Sequence, residues 1–256
     1  MAFSPTCGLV RMVPSTFSRA IVMDTAGERP KVEAATRQHQ EYVAHLRAAG
    51  VAIRVLESGG PDSCFVEDQA LIFGGVAILL RVGHPQRRDE GELVHQALRE
   101  VMPTLSLPEG TVDGGDVLSV RQTLFVGRSS RTNELGIRTL RALVEPLGAE
   151  VVEVPVEFAG VLHLKSAASF LDETTVLVAE QTLDRRVFER HANVVVVPRE
   201  ENYAANTLTI GSRTLVPAGY PRTASKIEAL GFEPVVLPMS EFQKADGALT
   251  CLSLLW

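Results

Sequence analysis

The sequence is poor in features that define several classes of protein. Its 256 residues include only three cysteines, Cys7, Cys64 and Cys251, and none of them forms a CxxC pair. That pattern excludes a disulfide scaffold and a structural zinc site, and it favours a reducing cytoplasm. No apolar run is long enough to span a bilayer, and no long apolar segment follows a basic N-terminus. We therefore expect a cytoplasmic protein without a signal peptide or a membrane anchor.

A second group of absences concerns charge and cofactor motifs. The formal net charge is −6, so the chain lacks the basic excess of a nucleic-acid-binding surface. No GxGxxG motif follows a first strand, which argues against a dinucleotide-binding sheet. The chain also lacks a Pro/Gly/Ser-rich linker and any break in composition. We therefore predict a single domain over residues 1–256.

The chain does contain a repeat. An apolar hairpin, an amphipathic helix and a single strand follow one another, and this order recurs in approximate register along the chain. Gly74 and Gly75 mark the turn of one hairpin, and Pro221 and Gly231 bracket one helix in the usual asymmetry. The predicted strands and hairpins lie at residues 17–23, 51–57, 69–81, near 105, 116–126, 150–154, 167–179, 193–197, 207–216 and 233–237, and the predicted helices lie at 31–49, 89–101, 132–147, 184–191 and 221–230.

Repeats of one supersecondary unit predict radial repetition, here an α/β propeller with five-fold pseudo-symmetry. An open doubly wound sheet is the alternative that the periodicity leaves open, although hairpins recur where that fold has lone parallel strands. In a radial assembly the ends of the repeats converge on the axis, so polar motifs that are far apart in sequence become neighbours. The candidate motifs are SCFVEDQA, TVDGGDVL, GRSSRTNE, HLKS, ENYAANTL and ADGALTC.

Two residues of these motifs suggest covalent chemistry. Cys251 lies between a Gly-Ala turn and an apolar tail, in what the pattern predicts to be the last strand of a sheet. It is either core filling or a nucleophile, because a thiolate is the strongest nucleophile that a protein offers near neutral pH. His163 is either a hydrogen-bonded core histidine or a general acid and base beside that thiol.

The charged residues of the motifs also allow two interpretations. Glu67, Asp68 and Asp113 either cap turns and face solvent, or they form an acidic wall that holds a cation such as guanidinium. Arg87 and Arg131 either are solvated or clamp a carboxylate bidentately. A substrate with a guanidinium at one end and an amino-acid head at the other satisfies both functional interpretations. The sequence therefore points toward arginine-like compounds.

Taken together, the motifs resemble a known family. FVEDQA, VDGGDVL, SSRTNE, LHLKSAASFL, NYAANTL and DGALTC, in this order, are similar to motifs of dimethylarginine dimethylaminohydrolase, of the guanidine-modifying or pentein superfamily. The similarity includes RQHQEYV and HPQRRDE and covers nearly the whole chain. It implies a pentein fold, an α/β propeller of ββαβ modules. It also implies hydrolysis of asymmetric dimethylarginine and monomethylarginine to citrulline and dimethylamine or methylamine, through a covalent Cys thiouronium, with no cofactor and no catalytic metal.

The resemblance further implies roles for individual residues. Cys251 corresponds to the nucleophile, His163 to the general acid and base, and Asp113 to the carboxylate that orients the histidine. Val13 departs from the family, which has Leu at the matching position of a mobile lid. The residues implied in substrate binding are Asp68, Glu67 and Asp246 near the guanidinium, Arg87 and Arg131 at the substrate carboxylate, and Asp62 and the backbone carbonyl of Val13 near the α-amine.

Three alternatives remain open at this point. Arginine deiminase or another guanidine hydrolase shares the chemistry, although 256 residues leave no room for the helical insertion that is usual in arginine deiminases. A non-catalytic binding protein on the same scaffold and a Cys/His/Asp metal hydrolase are the other two. We expect a small-molecule, arginine-derived substrate, no nucleic-acid or membrane partner, and a monomer or homodimer.

Overall fold

The computed structural model describes residues 3–156 and 160–256, which contain five three-stranded sheets. In each sheet the first two strands are antiparallel, and a helix connects the second strand to a third that runs parallel to it. The strands are β1 (Cys7–Arg11), β2 (Ala52–Leu56), β3 (Ala70–Phe73), β4 (Val76–Leu79), β5 (Thr104–Ser106), β6 (Val117–Val120), β7 (Thr123–Arg128), β8 (Glu150–Pro155), β9 (Ala168–Phe170), β10 (Thr175–Ala179), β11 (Asn193–Val197), β12 (Leu208–Ile210), β13 (Arg213–Pro217), β14 (Glu233–Leu237) and β15 (Leu254–Leu255), and the helices are α1 (Val32–Ala48), α2 (Glu92–Arg99), α3 (Glu134–Val144), α4 (Arg186–Glu189), α5 (Pro221–Ala229) and α6 (Ser240–Gln243).

The two ends of the chain share one sheet, and this closes the ring. Strand β1 pairs antiparallel with β15, in a register that sets Gly8 opposite Leu255, and parallel with β2 on its other side. Tyr42 of α1 is fully buried, and its hydroxyl lies 2.7 Å from the Ser253 hydroxyl. The C-terminal segment is therefore held by the N-terminal part of the chain.

The first strand of every sheet faces a common central cavity. This cavity has a volume of about 430 Å³ and is lined by residues of β3, β6, β9, β12 and β15. Equivalent strands can meet around one cavity only if the sheets are arranged radially. The five-fold α/β propeller predicted from the repeats is thus confirmed, and the open doubly wound sheet is excluded.

The predicted hairpins follow from local turn chemistry. Gly74 and Gly75 join β3 to β4 with φ angles of +59° and +76°, as a two-residue turn with left-handed residues requires. Asp172 serves the turn between β9 and β10, where its Oδ1 accepts from the backbone N–H of Thr174 at 2.7 Å. Both turns depend only on residues that are neighbours in sequence, and the sequence predicted both correctly.

The first predicted strand, at residues 17–23, is wrong. The strand of this module is β1, and Phe17–Arg19 instead forms a short 3-10 turn. Phe17 is fully buried, and its ring centroid lies 5.9 Å from that of Phe65 and 5.5 Å from that of Phe242. The apolar run that resembled a strand therefore fills the core with single side chains and does not extend a sheet.

Within the described ranges, we find no helix with both the length and the apolar character needed to cross a bilayer.

Candidate active site

Seven of the charged or nucleophilic residues expected from the sequence line one narrow cleft. The cavity in this cleft measures only about 20 Å³. Apolar and small residues complete its walls, among them Phe65, Leu162 and Gly247. The seven are Asp62, Asp68, Arg87, Arg131, His163, Asp246 and Cys251.

The propeller brings the catalytic candidates together through equivalent short turns. A 3-10 turn comes shortly before the first strand of every sheet, with at most two residues between them, at Val66–Gln69, Gly114–Asp116, Leu164–Ser166, Arg199–Ala205 and Thr250–Leu252. Asp68 and Cys251 lie inside such turns, and Asp113 and His163 lie immediately before them. Cys251 is thus in a turn before β15, and the prediction that it lies within the last strand is wrong.

His163 is bound to Asp113, the pairing that the family resemblance implies. Its Nε2 lies 3.0 Å from Asp113 Oδ2, and both side chains are buried. Burial lowers the pKa of His163, but the charges of Asp68 and Asp116 and the hydrogen bond that the ring donates to Asp113 raise it more strongly, to about 9. The imidazole is therefore cationic at neutral pH and can donate a proton.

Asp113 is itself fixed by the chain around it. Its Oδ1 accepts from the backbone N–H of Gly83 at 2.7 Å, and its own N–H donates to Thr132 Oγ1 at 3.1 Å. Its side chain is completely buried, with an exposure of 0%. The carboxylate that holds the imidazole thus has little freedom to turn away.

Asp116, the second acid of the DGGD motif, was not expected to contribute. It is fully buried and accepts from the backbone N–H of Leu164 at 2.9 Å and from the hydroxyls of Ser129 at 2.6 Å and Thr132 at 2.7 Å. Burial raises its pKa to about 6, although His163 lowers it. Asp116 therefore joins the segments that carry His163 and Arg131. The only sequence signal was its place in DGGD.

The two glycines of this motif are required by close packing. A β-carbon at Gly114 would lie 1.9 Å from the carbonyl oxygen of Glu67, and one at Gly115 would lie 2.8 Å from His163 Nδ1. The N–H of Gly115 also donates to Asp68 Oδ1 at 3.1 Å. The turn thus brings backbone, not side chain, against the histidine and the acid.

Asp68 is an ionised carboxylate within the cleft. Its Oδ2 accepts from Arg87 Nη1 at 2.6 Å in a buried ion pair. Burial raises its pKa, but His163 and Arg87 lower it to about 2. The acid expected near a guanidinium is therefore negative, and it binds the guanidinium of Arg87.

Glu67 does not lie in the cleft, which corrects the expectation of a second acid beside the guanidinium. Its carboxylate accepts from Lys165 Nζ at 2.7 Å and from Thr250 Oγ1 at 2.9 Å, and it lines the central cavity. Because neighbouring residues of a short turn point in different directions, the side chain of Asp68 lines the cleft and that of Glu67 lines the central cavity. No sequence pattern indicated Lys165 as the partner of Glu67.

The surroundings of the Cys251 thiol favour its protonated form. Burial together with the negative charges of Glu67 and Asp68 raises its pKa well above the usual value. The residue is nevertheless only partly buried and lines the cleft. A cation bound in the cleft would offset these charges and favour the thiolate.

The segment between β1 and α1 covers the cleft at Ile21, not at Val13. The N–H of Ile21 donates to Asp62 Oδ1 at 3.1 Å, and the N–H of Met23 donates to Asp246 Oδ2 at 2.5 Å. Val13 packs against the hydrophobic core and is not among the residues that line the cleft. Ile21, and not Val13, is thus the residue of this segment that lines the cleft, which the chain reaches only after the turn at 17–19.

The two arginines differ in how fully their donors are used. Arg87 donates to Asp68, to Glu90 Oε2 from Nε at 3.1 Å and to the Phe65 carbonyl from Nη2 at 3.2 Å. Arg131 has one weak ion pair in the cleft, with its Nη1 4.0 Å from Asp113 Oδ2. Arg131 is therefore the more readily available cation for an anionic ligand.

A metal ion is a further possibility that the geometry permits. Asp68, Asp113 and His163 each offer one ligand atom within 4.8 Å of the others. Arg87 and the protonated His163 already neutralise these carboxylates, so a metal ion must displace both interactions. The donor set is thus better matched to an organic cation than to a metal.

Comparison with known proteins gives consistent results. A family model described as N,N dimethylarginine dimethylhydrolase, eukaryotic, matches residues 16–217. The chain is 40% identical to the N(G),N(G)-dimethylarginine dimethylaminohydrolase of Streptomyces coelicolor, with 96% of this chain and 95% of that protein covered. It is 35% identical to the protein of the same name from Pseudomonas aeruginosa, with 88% and 90% covered.

Solved structures agree with this relationship. The Pseudomonas aeruginosa enzyme, as a Cys→Ser variant in complex with citrulline, has a TM-score of 0.93 at 32% identity and covers 99% of this chain and 100% of its own. The N-terminal domain of the cyanobacterial arginine dihydrolase ArgZ has a TM-score of 0.87 at 20% identity and covers 97% of both chains, which shows the fold alone. Because the family model matches most of this chain and two relatives are 35% and 40% identical to it, the chain belongs to the dimethylarginine dimethylaminohydrolase family.

Proposed function

We propose that this protein hydrolyses asymmetric dimethylarginine and monomethylarginine to citrulline and dimethylamine or methylamine. The observation that carries the proposal is the cleft itself, where a thiol, a cationic imidazole, an ionised acid and two arginines meet. A guanidinium with an amino-acid head is the ligand that complements all of these groups. The complex of the Pseudomonas aeruginosa relative with citrulline supports the same product.

Asp68 binds the guanidinium of the substrate. Its low pKa keeps it negative, and Gly115 orients one of its oxygens through a backbone hydrogen bond. Asp246, which also lines the cleft, is a second carboxylate for this cation. The substrate cation then faces Cys251, since all three side chains line the same small space.

Arg131 and Arg87 bind the carboxylate of the substrate, and Asp62 binds its α-amine. Arg131 has the weaker protein partner and therefore supplies the larger share of the carboxylate contact. The Asp62 carboxylate accepts a hydrogen bond from the N–H of Ile21 and has remaining lone pairs for an ammonium group. Because the cavity is only about 20 Å³, the covering segment around Ile21 must move before a substrate enters.

The first half of the reaction forms a covalent adduct. The bound guanidinium lowers the pKa of the Cys251 thiol, which releases its proton to solvent. Sγ attacks the guanidino carbon, a C–S bond forms, and the electron pair of the C=N bond moves to nitrogen. Protonated His163 donates to the methylated nitrogen, the C–N bond breaks, and dimethylamine or methylamine leaves. The product on the enzyme is a thiouronium.

The second half uses the same imidazole as a base. Neutral His163 accepts a proton from water, and the hydroxide oxygen adds to the thiouronium carbon. The C–S bond then breaks, its electron pair returns to Cys251 Sγ, and the hydroxyl proton of the adduct passes to Sγ, which restores the thiol and releases citrulline. Asp113 stabilises the imidazolium and fixes the ring throughout, which is the role of the acid in a catalytic triad.

The test is citrulline release from purified protein. We expect release with asymmetric dimethylarginine and monomethylarginine, also in the presence of a chelator, and no turnover by Cys251→Ser, which should still bind the substrate. Arg131→Ala should raise KM. Faster turnover of unmethylated arginine would identify an arginine deiminase instead. If no guanidine yields citrulline, the result would favour a non-catalytic binding protein. Loss of activity with the chelator would favour a metal hydrolase.

We also propose that the enzyme acts in the cytoplasm as a monomer or homodimer, on a small molecule and without a nucleic-acid or membrane partner. All three cysteines are free, which suits a reducing compartment. The net charge of −6 disfavours contact with polyanions. Gel filtration of the purified protein gives the oligomeric state.

A further inference from the structure

Glu90 is a buried acid behind the cleft. It lies in the 3-10 segment Pro85–Gly91, and its side chain is only 6% exposed. Both of its carboxylate oxygens are used, since Oε1 accepts from the backbone N–H of Asp62 at 3.2 Å and Oε2 accepts from Arg87 Nε at 3.1 Å. Glu90 does not line the cleft, but both of its partners do.

Arg11 holds the same segment from the other side. Its Nη1 donates to the Glu90 carbonyl oxygen at 2.7 Å, and its Nε donates to the Glu57 carbonyl oxygen at 2.7 Å. Arg11 is also buried, so water does not compete for its hydrogen bond with Glu90. The backbone of Glu90 is therefore fixed independently of its side chain.

The loop at Gly59 and Gly60 closes over these two residues without spare room. A β-carbon at Gly60 would lie 2.5 Å from Glu90 Oε1, and one at Gly59 would lie 2.3 Å from Arg11 Nη2. Asp62 follows this loop directly. The carboxylate of Glu90 thus determines where the Asp62 backbone lies, as well as the direction of the Arg87 side chain.

We infer that Glu90 is a positioning residue for the amino-acid head of the substrate. Through its two oxygens it sets the distance between Asp62, the partner of the α-amine, and Arg87, a partner of the α-carboxylate. This inference rests on the proposed function, because the roles of Asp62 and Arg87 do. It adds a residue that touches no substrate and yet determines selectivity for α-amino acids.

The inference predicts an effect on binding more than on chemistry. Besides its bond from Arg87, Asp68 accepts a hydrogen bond from the Gly115 N–H, and His163 is held by Asp113; neither of these two contacts involves Glu90. Contacts to the head are made equally in the bound substrate and in the transition state, so their loss raises KM and leaves kcat largely unchanged. A guanidine that lacks the amino-acid head makes none of these contacts, so its turnover should not change.

The test compares Glu90→Gln with Glu92→Gln. Glu92 is two positions further along the chain, at the start of α2, and its side chain is 78% exposed, so its variant is the matched control. Three quantities are measured for each protein: citrulline release from dimethylarginine, turnover of the same methylated guanidine on a plain butyl chain, and the rate at which 2-chloroacetamidine labels Cys251.

For Glu90→Gln we expect KM for dimethylarginine to rise by about tenfold or more, since a charge-assisted hydrogen bond to Arg87 is lost. Its kcat, the turnover of the butyl guanidine and the labelling rate should stay within about twofold of the parent, as should every value for Glu92→Gln. Glu90→Asp keeps the charge but is too short to reach both donors. It should show the same rise in KM, and it serves if Glu90→Gln does not fold.

Two results overturn the inference alone: an unchanged KM in an active Glu90 variant, or an equal loss for substrates with and without the head. The second would mean that Glu90 only supports the fold. If the parent protein releases no citrulline from dimethylarginine, the proposed function fails, and the role of Glu90 fails with it. The parent assay thus separates the two failures.

Discussion

Gly115 lies so close to His163 that a β-carbon would be 2.8 Å from Nδ1 and 2.9 Å from Cγ of the ring. The same atom would lie 3.0 Å from Asp68 Oδ1. For Gly115→Ala we therefore expect the imidazole and the acid to be pushed apart, with kcat lower by about a hundredfold because catalytic groups tolerate little displacement. Steady-state citrulline release measures this effect.

A matched control for this change is Gly211→Ala at the tip of the hairpin between β12 and β13. Gly211 has a φ of +62°, so an alanine is strained there, yet nothing lies within 4 Å of its β-carbon position. It should lower the melting temperature without changing kcat. If Gly115→Ala retains full kcat, the close contact with His163 has no catalytic importance.

The protonated His163 makes stability depend on pH. Its pKa is raised from 6.5 to about 9 in the folded chain. Its contribution is fully present below pH 6.5 and is lost as the pH rises through about 9, with a size of about 3 kcal/mol. Denaturant unfolding at pH 6.5 and at pH 9.5 should show this loss in the parent protein and not in His163→Asn.

Asp113→Asn provides a second comparison for that measurement. It removes the charge that binds His163 Nε2 and should move the loss of stability to lower pH. An identical pH slope in the parent and in His163→Asn would contradict a protonated imidazole in the folded state.

The buried His39 of α1 should give folding stability the opposite dependence on pH, with a loss in acid. Among the residues that the structure describes, its Nε2 has no hydrogen-bond partner, and the ring packs 6.4 Å from those of Tyr42 and Phe242. Burial lowers its pKa from 6.5 to about 4. The stability it contributes is present above pH 6.5 and is lost as the pH falls through about 4, by about 3 kcal/mol.

His39→Phe should remove this acid sensitivity, which unfolding at pH 7.5 and at pH 4 would measure. His45→Gln on the same helix is the control, because His45 is only partly buried. If both variants lose stability between these pH values as the parent does, His39 is not the origin of the acid sensitivity.

The charge of Glu67 should control the reactivity of Cys251. Burial and the charges of Glu67 and Asp68 raise the pKa of the thiol, so uncharged iodoacetamide should label it slowly at pH 7.5. Glu67→Gln removes one of these charges, so it lowers that pKa and should speed the labelling, because a larger fraction of the thiol is then ionised. Peptide mapping separates Cys251 from the partly exposed Cys7. An unchanged rate would show that Glu67 has no influence on the thiol.

The hairpins and helices could be predicted because their signals are local. The turn at Gly74 and Gly75, the helix that begins at Pro221 and the strand Asn193–Val197 each depend on a few neighbouring residues. The strand expected at residues 17–23 failed because Phe17 serves a core assembled from distant segments. Its apolar pattern does not distinguish a strand from a buried turn.

The site was predicted only in part, for a related reason. The pairing of His163 with Asp113 and the gathering of Cys251 with Asp68 follow from motifs at the ends of the repeats. No pattern indicated that Glu67 points to Lys165, or that Ile21 replaces Val13 at the cleft. Those outcomes depend on the direction of single side chains.

By itself, the sequence determined the repeated hairpin, helix and strand and the set of chemical groups that the repeats carry. Backbone propensity, turn residues and apolar spacing act over a few residues, so they are present in the chain before it folds. The tertiary structure decided which of two adjacent acids enters the cleft, which segment covers it and how the acid behind Arg87 is bound. These choices depend on closing the ring between β15 and β1, and only then do residues from opposite ends of the chain become neighbours.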